Sequence, residues 1–223
     1  MKAIQLKYCS FQILHRQTKM DSLETLLHEA IQHGLVQDVQ ELILQGADVN
    51  AKNERNDTPL LQAVHLNMVS IVEMLLQHGA EINCCKTTLI TPLHLAISKG
   101  QEMVEMLISN GAKIEAKDLV GMTPFHWAAM IGQCLNLEIL QRNGANIEAQ
   151  RIDGRTPLML AVTYAGDKTV EMLIQMGAKL DAKDGQGQTA MHVASQNGQN
   201  IMELSFQLKM EPKRPRFLSM HAE

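Results

Sequence analysis

Four histidines are the residues of this 223-residue chain that come closest to a metal-binding pattern, because they recur at spacings of 32 or 66 residues. They are His28, His94, His126 and His192. If each occupies the same position of a repeated helical unit, its equivalents lie on neighbouring helices about 8–10 Å apart. A ligand nitrogen, however, lies about 2.0–2.1 Å from a zinc ion. Successive histidines therefore cannot share one ion, and we expect no metal site.

The cysteines and the glycine-rich stretch do not complete a catalytic or cofactor-binding pattern either. Cys84 and Cys85 are neighbours, and no Cys-x-x-Cys pair or His-Cys cluster accompanies them. With Cys9 and Cys134 they show no disulfide framework, which indicates free thiols in a reducing compartment. The segment DGQGQ at 184–188 lacks the Lys-Ser or Lys-Thr of a phosphate-binding loop. Because no hydrolase, zinc-protease or kinase signature is present either, we expect no catalytic residue, no cofactor and no enzyme activity.

A motif that starts with Thr-Pro divides the chain into repeated units. It reads TPLLQA at 58, TPLHLA at 91, TPFHWA at 123, TPLMLA at 156 and TAMHVA at 189, with a degenerate TLLHEA at 25. A threonine hydroxyl can cap the N-terminus of a helix, and proline is favoured at the first helical position. The motif therefore predicts the start of a first helix in each unit. The units are about 25–57, 58–90, 91–122, 123–155, 156–188 and, in part, 189–210.

A second motif predicts a second helix in each unit. VEMLLQHGAEIN at 72–83 returns as VEMLISNGAKIE at 104–115 and as VEMLIQMGAKLD at 170–181. Its apolar residues lie on one helical face, and the glycine that follows suits the left-handed residue that ends a helix. The stretch before the next Thr-Pro motif contains turn signals such as Asp153-Gly154. Each unit is therefore predicted to be two helices and a projecting hairpin-like loop, and stacked units would form a solenoid.

The Thr-Pro-Leu-His-x-Ala motif, with a Gly-Ala about twenty residues later, resembles the ankyrin repeat family over roughly residues 21–210. The resemblance implies an all-α ankyrin-repeat solenoid of stacked helix-turn-helix units. It also implies that the repeated histidine joins its own unit to the next one by hydrogen bonds. Outside the repeats, we expect residues 1–20 to be a flexible extension and residues 211–223 to be a disordered tail.

Departures from the repeat pattern lead to further expectations. Asn67 stands where a glycine usually ends the first helix of a unit. The loop CCKTTLI at 84–90 lacks a turn glycine, so we expect an irregular loop there. The first unit has no Thr-Pro start and is rich in polar residues, as expected of a terminal cap.

Protein-binding residues are expected at the positions that vary between units, because the repeated positions serve packing. In ankyrin repeats these variable positions are the loop tips and the ends of the first helices, which together line a concave face. The candidates are Glu54, Arg55, His65, Leu66, Lys99, Leu119, Val120, Met130, Ile131, Ile152, Asp153 and Tyr164. They become apolar from the third unit to the fifth, and a contiguous exposed apolar surface marks an interaction site. Trp127, the single tryptophan, is expected to fill the stack.

Charge and composition limit the partners. A net charge of -4 argues against a nucleic-acid-binding surface, and neither a membrane-spanning apolar run nor a cleavable signal peptide is recognisable. We therefore expect a monomer that binds an unidentified protein partner, without nucleic acid or membrane insertion, as an adaptor, scaffold or inhibitor. Its location would be the cytoplasm, or the nucleus if PKRPR at 212–216 acts as an import signal. The alternative is the substrate-recruiting or targeting region of a larger enzyme or of a ubiquitin-ligase adaptor.

Overall fold

The computed structural model describes residues 22–197, and within them the chain is all α-helical, as predicted. In chain order the helices are α1 (Leu23–Gln32), α2 (Val36–Leu44), α3 (Pro59–His65), α4 (Val69–Gln77), α5 (Pro92–Ala96), α6 (Gln101–Ser109), α7 (Pro124–Ile131), α8 (Cys134–Arg142), α9 (Pro157–Tyr164), α10 (Asp167–Gln175) and α11 (Ala190–Gln196). Odd numbers are the first helices of the six units, and even numbers are the second helices. The predicted extension at 1–20, the end of the sixth unit and the predicted tail at 211–223 lie outside the described residues.

The Thr-Pro motifs begin the first helices of units 2 to 5, as predicted. The hydroxyls of Thr58, Thr123 and Thr156 each accept the backbone N–H three residues later, at 3.3–3.4 Å. The first unit differs, because Ser22 caps α1 by accepting the N–H of Thr25 at 3.2 Å. This helix therefore begins two residues before Thr25, earlier than the repeat register predicts.

Buried residues at repeated positions form one core along the stack. The first helices carry a buried alanine in each of units 2 to 6, namely Ala63, Ala96, Ala128, Ala161 and Ala194. Because alanine is small, the first helices of neighbouring units pack closely on one another. Leu75, Leu107 and Leu173 share a position of the second helices and are fully buried. Each unit thus buries its apolar face against its neighbours, as in a solenoid. No helix within residues 22–197 has the length and apolar character needed to cross a membrane.

Side-chain hydrogen bonds also join each unit to the next. A side chain that follows the second helix accepts a backbone N–H from the equivalent region of the next unit. The pairs are Asn50–Glu81, Asn83–Lys113, Glu115–Asn146 and Glu148–Lys179, at 2.8–2.9 Å. Because these bonds recur from the first unit to the fifth, they hold neighbouring units in a repeated relative orientation.

Five hairpin-like loops, which we call fingers, connect the successive units. They are finger 1 (52–57), finger 2 (85–90), finger 3 (117–122), finger 4 (150–155) and finger 5 (183–188). Each is closed by the same pair of backbone hydrogen bonds. In finger 3, Asp118 N donates to Met122 O at 3.0 Å and Gly121 N donates to Asp118 O at 2.9 Å. The turn residue of every finger has a left-handed backbone with φ between 58° and 79°, and these residues are Asn56, Leu89, Gly121, Gly154 and Gly187.

Finger 2 is regular, so the expectation of an irregular loop is wrong. Lys86 N donates to Ile90 O at 3.1 Å and Leu89 N donates to Lys86 O at 2.9 Å, which are the bonds of the other fingers. The turn keeps its shape because Leu89 takes the left-handed conformation that glycine takes in fingers 3 to 5. That conformation costs a residue with a side chain about 1–2 kcal/mol. Asn67 also has a left-handed backbone, which asparagine tolerates better, and it ends α3 where glycine is usual.

Candidate functional site

The repeated histidines bind the backbone of their own unit and of the next. His94 Nδ1 accepts the N–H of Thr91 at 3.2 Å, and its Nε2 donates to the carbonyl oxygen of Met122 at 3.0 Å. Both ring nitrogens are therefore occupied, and the ring connects the start of α5 to the end of finger 3. This is the bridging role that the resemblance implies for the repeated histidine.

His126 repeats this arrangement one unit later. Its Nδ1 accepts the N–H of Thr123 at 3.2 Å, and its Nε2 donates to the carbonyl oxygen of Arg155 at 3.4 Å. The ring is fully buried, and burial lowers its pKa to about 4. Burial also lowers the pKa of His94. Both rings are therefore neutral at pH 7, with the proton on Nε2, which is the form that their hydrogen bonds require.

Other side chains with reactive atoms are also held by neighbours. His28 Nδ1 lies 2.6 Å from Gln62 Oε1, and its Nε2 lies 2.9 Å from the carbonyl oxygen of Ala51. Cys84 is buried, with its Sγ 3.1 Å from Thr58 Oγ1, and burial raises the pKa of its thiol. A thiol with a raised pKa is a poor nucleophile at pH 7. Across the described residues, no group of three or more His, Cys, Asp or Glu side chains is arranged to hold a metal ion.

Trp127 orders finger 3. It is half-buried against the core, and its Nε1 donates to Asp118 Oδ2 at 3.1 Å. Its ring also meets the ring of His94 edge to face, with centroids 5.6 Å apart. The second oxygen of Asp118, Oδ1, accepts the N–H groups of Val120 and Met122 at 3.0 and 2.9 Å. The tryptophan thus fills the stack, as expected, and it also fixes the residue on which the tip of finger 3 is built.

Exposed apolar side chains lie on the tips of fingers 2, 3 and 4. We call them the finger-tip row, which consists of Leu89, Leu119, Val120 and Ile152, exposed by 44%, 55%, 49% and 79%. Backbone hydrogen bonds join the fingers that carry the row. These bonds run from Leu119 N to Thr88 O at 3.1 Å, from Ile152 N to Val120 O at 3.1 Å and from Gly185 N to Asp153 O at 2.8 Å. The structure therefore brings the candidates Leu119, Val120, Ile152 and Asp153 together.

Leu89 is absent from the candidates that the sequence suggests. The missing turn glycine of finger 2 predicts a change in the shape of the loop and does not by itself point to the side chain that replaces the glycine. In the structure this leucine follows Thr88, which accepts the hydrogen bond from Leu119 N. A bulky apolar residue at a turn position that usually carries glycine is the signal that could have identified it.

Four other candidates line a polar groove beside finger 1. The groove has a volume of about 560 Å³ and lies between finger 1 and the helices α1 and α3. Glu54 and Arg55 contribute from the finger, and His65 and Leu66 contribute from the end of α3. Its remaining lining is also mainly polar or charged, with Glu24, Gln32, Lys52 and Gln62 among its members. In units 1 and 2, therefore, the finger and the end of the first helix do share one surface.

The last four candidates lie at or just after the C-terminal ends of α5, α7 and α9. They are Lys99, Met130, Ile131 and Tyr164. An eight-residue helix such as α7 or α9 is about 12 Å long, so Met130, Ile131 and Tyr164 lie about that far along the helix axis from the finger that precedes them. Ile131 and Tyr164 are exposed, and the exposed Leu135 lies near the same end of α7. These exposed apolar side chains thus lie near the C-terminal ends of α7 and α9, outside the fingers.

The pattern of the whole stack matches one known family. A family profile described as "Ankyrin repeats (3 copies)" matches residues 27–118 and 125–211. Apart from Pro124 at the start of α7, the matched residues include α2 to α11 and all of the fingers except parts of finger 3, so the match covers most of the chain. A comparison with curated proteins finds none that matches.

Proposed function

The chain belongs to the ankyrin repeat family, and from this we propose that it is a non-catalytic module that binds another protein through its fingers and concave face. Ankyrin repeats are generally protein–protein interaction modules and are typically non-catalytic. The proposed role is that of an adaptor, a scaffold or an inhibitor. Each of these roles needs a surface that holds another protein, and none needs a group that reacts with it.

The finger-tip row is the observation that carries this proposal. Its four apolar side chains are exposed on neighbouring fingers, and contiguous exposed apolar surface is typical of interaction sites. Hydrogen bonds between the fingers hold the tips, as does the bond from Trp127 to Asp118. A surface that is ordered before the partner arrives loses less conformational entropy on binding, so more of the contact energy contributes to affinity.

The polar candidates are proposed as the edge of the site. Arg151 binds both carboxylate oxygens of Asp153 at 2.7 Å, which leaves an ion pair beside Ile152. Glu54 and Arg55 are exposed at the opening of the polar groove. Charges at the edge of an interface are expected to orient the partner and speed its approach more than to add affinity. Lys99, Met130, Ile131 and Tyr164 would form a second contact region for a large partner.

We also propose that the protein is a monomer located in the cytoplasm or the nucleus. Cys84, Cys85 and Cys134 are free thiols in the structure, which supports a reducing compartment. Sedimentation of the purified chain at several concentrations would test the monomeric state, because a dimer would sediment faster as its concentration rises.

The proposed site is tested by placing charge in the finger-tip row. In the double variant Leu119→Asp, Val120→Asp, two exposed apolar side chains become carboxylates, while the backbone hydrogen bonds of finger 3 can persist. Wild type and variant are used to capture proteins from cell extract, and mass spectrometry compares what they recover. We expect the fold to persist, by circular dichroism and melting temperature, and the recovery of specific partners to fall at least tenfold.

Leu44→Asp is the matched control, because Leu44 is 73% exposed on a second helix, outside the fingers. This control should recover the same proteins as the wild type. Equal recovery by the double variant and the wild type would remove the finger-tip row from the binding site. Loss of recovery by the Leu44 control as well would indicate a general effect of added negative charge.

A further inference from the structure

Leu89 is held in a conformation that its side chain disfavours. Its φ is 58°, whereas the equivalent residues are Asn56 in finger 1 and glycine in fingers 3, 4 and 5. The left-handed region is unfavourable for leucine because its Cβ approaches the following carbonyl oxygen. A residue that stays in such a conformation is a reason to look for a function of its side chain.

The fold does not need a leucine at this position. Finger 2 is closed by backbone atoms of Lys86, Leu89 and Ile90, and a glycine would supply the same N–H with less strain. The leucine side chain is 44% exposed, so it contributes little to the core. Removing it should therefore leave the stack intact and relieve the backbone. The side chain of Leu89 instead adds exposed apolar surface to finger 2. It lies next to the bond that joins fingers 2 and 3, because the carbonyl oxygen of the preceding residue, Thr88, accepts the hydrogen bond from Leu119 N.

The fingers also differ in charge from the rest of the described chain. They hold seven of its 12 cationic side chains, namely Lys52, Arg55, Lys86, Lys117, Arg151, Arg155 and Lys183. They hold five of its 20 carboxylates, namely Glu54, Asp57, Asp118, Asp153 and Asp184. The remaining residues of 22–197 carry five cations and 15 carboxylates. A negatively charged segment would therefore be attracted to the fingers and repelled by most of the remaining surface.

The five carboxylates of the fingers cancel only part of the positive charge of the seven cations. Asp118 and Asp184 are buried, and each accepts backbone N–H groups of its own finger. Asp57 is paired with Lys86 at 3.0 Å, and Asp153 is paired with Arg151 at 2.7 Å, so these two cations are neutralised. Lys117, by contrast, is exposed two residues before Leu119, and its Nζ donates to the carbonyl oxygen of Gln150. The surroundings of the finger-tip row thus favour negative charge on whatever binds there.

We propose that Leu89 anchors the finger-tip row and that the row receives an extended protein segment with apolar side chains flanked by Asp or Glu. This inference rests on the proposed function and specifies the chemistry of the partner. The apolar side chains of the segment bury Leu89, Leu119, Val120 and Ile152. Its carboxylates lie beside the exposed cations of the fingers, of which Lys117 is nearest in sequence to the row. Burial of its apolar side chains provides most of the affinity, and attraction between opposite charges orients the segment on the row.

Two synthetic peptides test the chemistry of the occupant. They share the same apolar residues, and their flanks are glutamate in one and lysine in the other. Binding to the wild-type chain is measured by fluorescence anisotropy at two salt concentrations. We expect the glutamate-flanked peptide to bind at least tenfold more tightly and to weaken as salt rises. Equal or tighter binding of the lysine-flanked peptide would overturn the assigned charge, and binding of neither would overturn the assigned occupant.

The variant Leu89→Gly tests the anchor, with Asn56→Gly as its matched control. Both changes place glycine at a left-handed turn position, but only the first removes an apolar side chain from the row. We expect Leu89→Gly to raise the melting temperature while it weakens binding of the glutamate-flanked peptide about tenfold. Asn56→Gly should leave that binding unchanged. Wild-type affinity in Leu89→Gly would refute the role of Leu89.

Together with the capture experiment, these tests distinguish an error in the role of Leu89 from an error in the proposed function. If Leu119→Asp, Val120→Asp abolishes capture of cellular partners while Leu89→Gly does not weaken peptide binding, the fingers still form the binding site and only the anchor is wrong. If neither variant affects any binding, the finger-tip row itself is not the site.

Discussion

Acidification is expected to weaken the fold through His126. The pKa of this ring is about 4 in the folded chain, against an ordinary value of 6.5, because the ring is buried. The unfolded chain therefore takes up the proton first, so this contribution to stability is complete above pH 6.5 and is lost as the pH falls from 6.5 to 4. The difference between the two pKa values corresponds to about 3 kcal/mol of unfolding free energy, of which about 2 kcal/mol is lost by pH 5.

The assay is urea unfolding at pH 7 and pH 5, performed on the wild type and on His126→Gln. Glutamine cannot take up the proton, so the variant should lose about 2 kcal/mol less than the wild type between these two pH values. His33→Gln is the control, because His33 is exposed at the end of α1. It should keep the pH dependence of the wild type.

Equal losses of stability in His126→Gln and the wild type would refute this reasoning. If the variant does not fold, an NMR titration of the His126 ring in the wild type gives the same information. A ring that titrates near 6.5 would contradict the burial and the hydrogen bonds described for it.

Two further changes test the core and the contact between fingers. Leu107→Ala removes a fully buried side chain from α6 and is expected to cost about 2–5 kcal/mol in urea unfolding. Leu44→Ala at an exposed position should cost less than about 0.5 kcal/mol, and a similarly small effect at Leu107 would contradict the repeat register. Gly154→Ala would place a Cβ 2.6 Å from Gly185 N, whereas Gly144→Ala meets nothing within 4 Å, although both glycines have a left-handed backbone. Each alanine should cost about 1–2 kcal/mol for the conformation, but Gly154→Ala should cost more and should speed hydrogen exchange at the Gly185 amide. Equal losses in the two variants would mean that fingers 4 and 5 are not in close contact.

Much of the fold could be predicted because its determinants lie within a few residues of one another. Thr58 caps a helix through an N–H three residues later, and Pro59 favours the same start. The period of the motifs then implies stacking, because a unit of two short helices cannot bury its apolar face alone. The position of Trp127 in the stack was predicted in the same way, from its place in the repeated motif.

Predictions based on the repeat register alone were less accurate. Register places the start of unit 1 at Thr25, but Ser22 provides the first cap and α1 begins at Leu23. A missing glycine suggests an irregular finger 2, but Leu89 takes the left-handed conformation and keeps the backbone bonds. A pattern of residue types predicts the preferred backbone conformation of each residue. A residue can still adopt a less favoured conformation, at a cost of about 1–2 kcal/mol, where this keeps the backbone hydrogen bonds of the loop.

By itself, the sequence determined the helices, the repeat and the stacked architecture, because these follow from capping, periodicity and burial within a unit. Only the tertiary structure decided which candidate residues share a surface. Leu119 and Val120 join Ile152 and Leu89 through hydrogen bonds between fingers, whereas Ile131 and Tyr164 lie at the far ends of their helices. The reason is that the contacts between fingers join residues about one unit apart in the chain. The conformational preferences of single residues and their sequence neighbours do not specify such contacts.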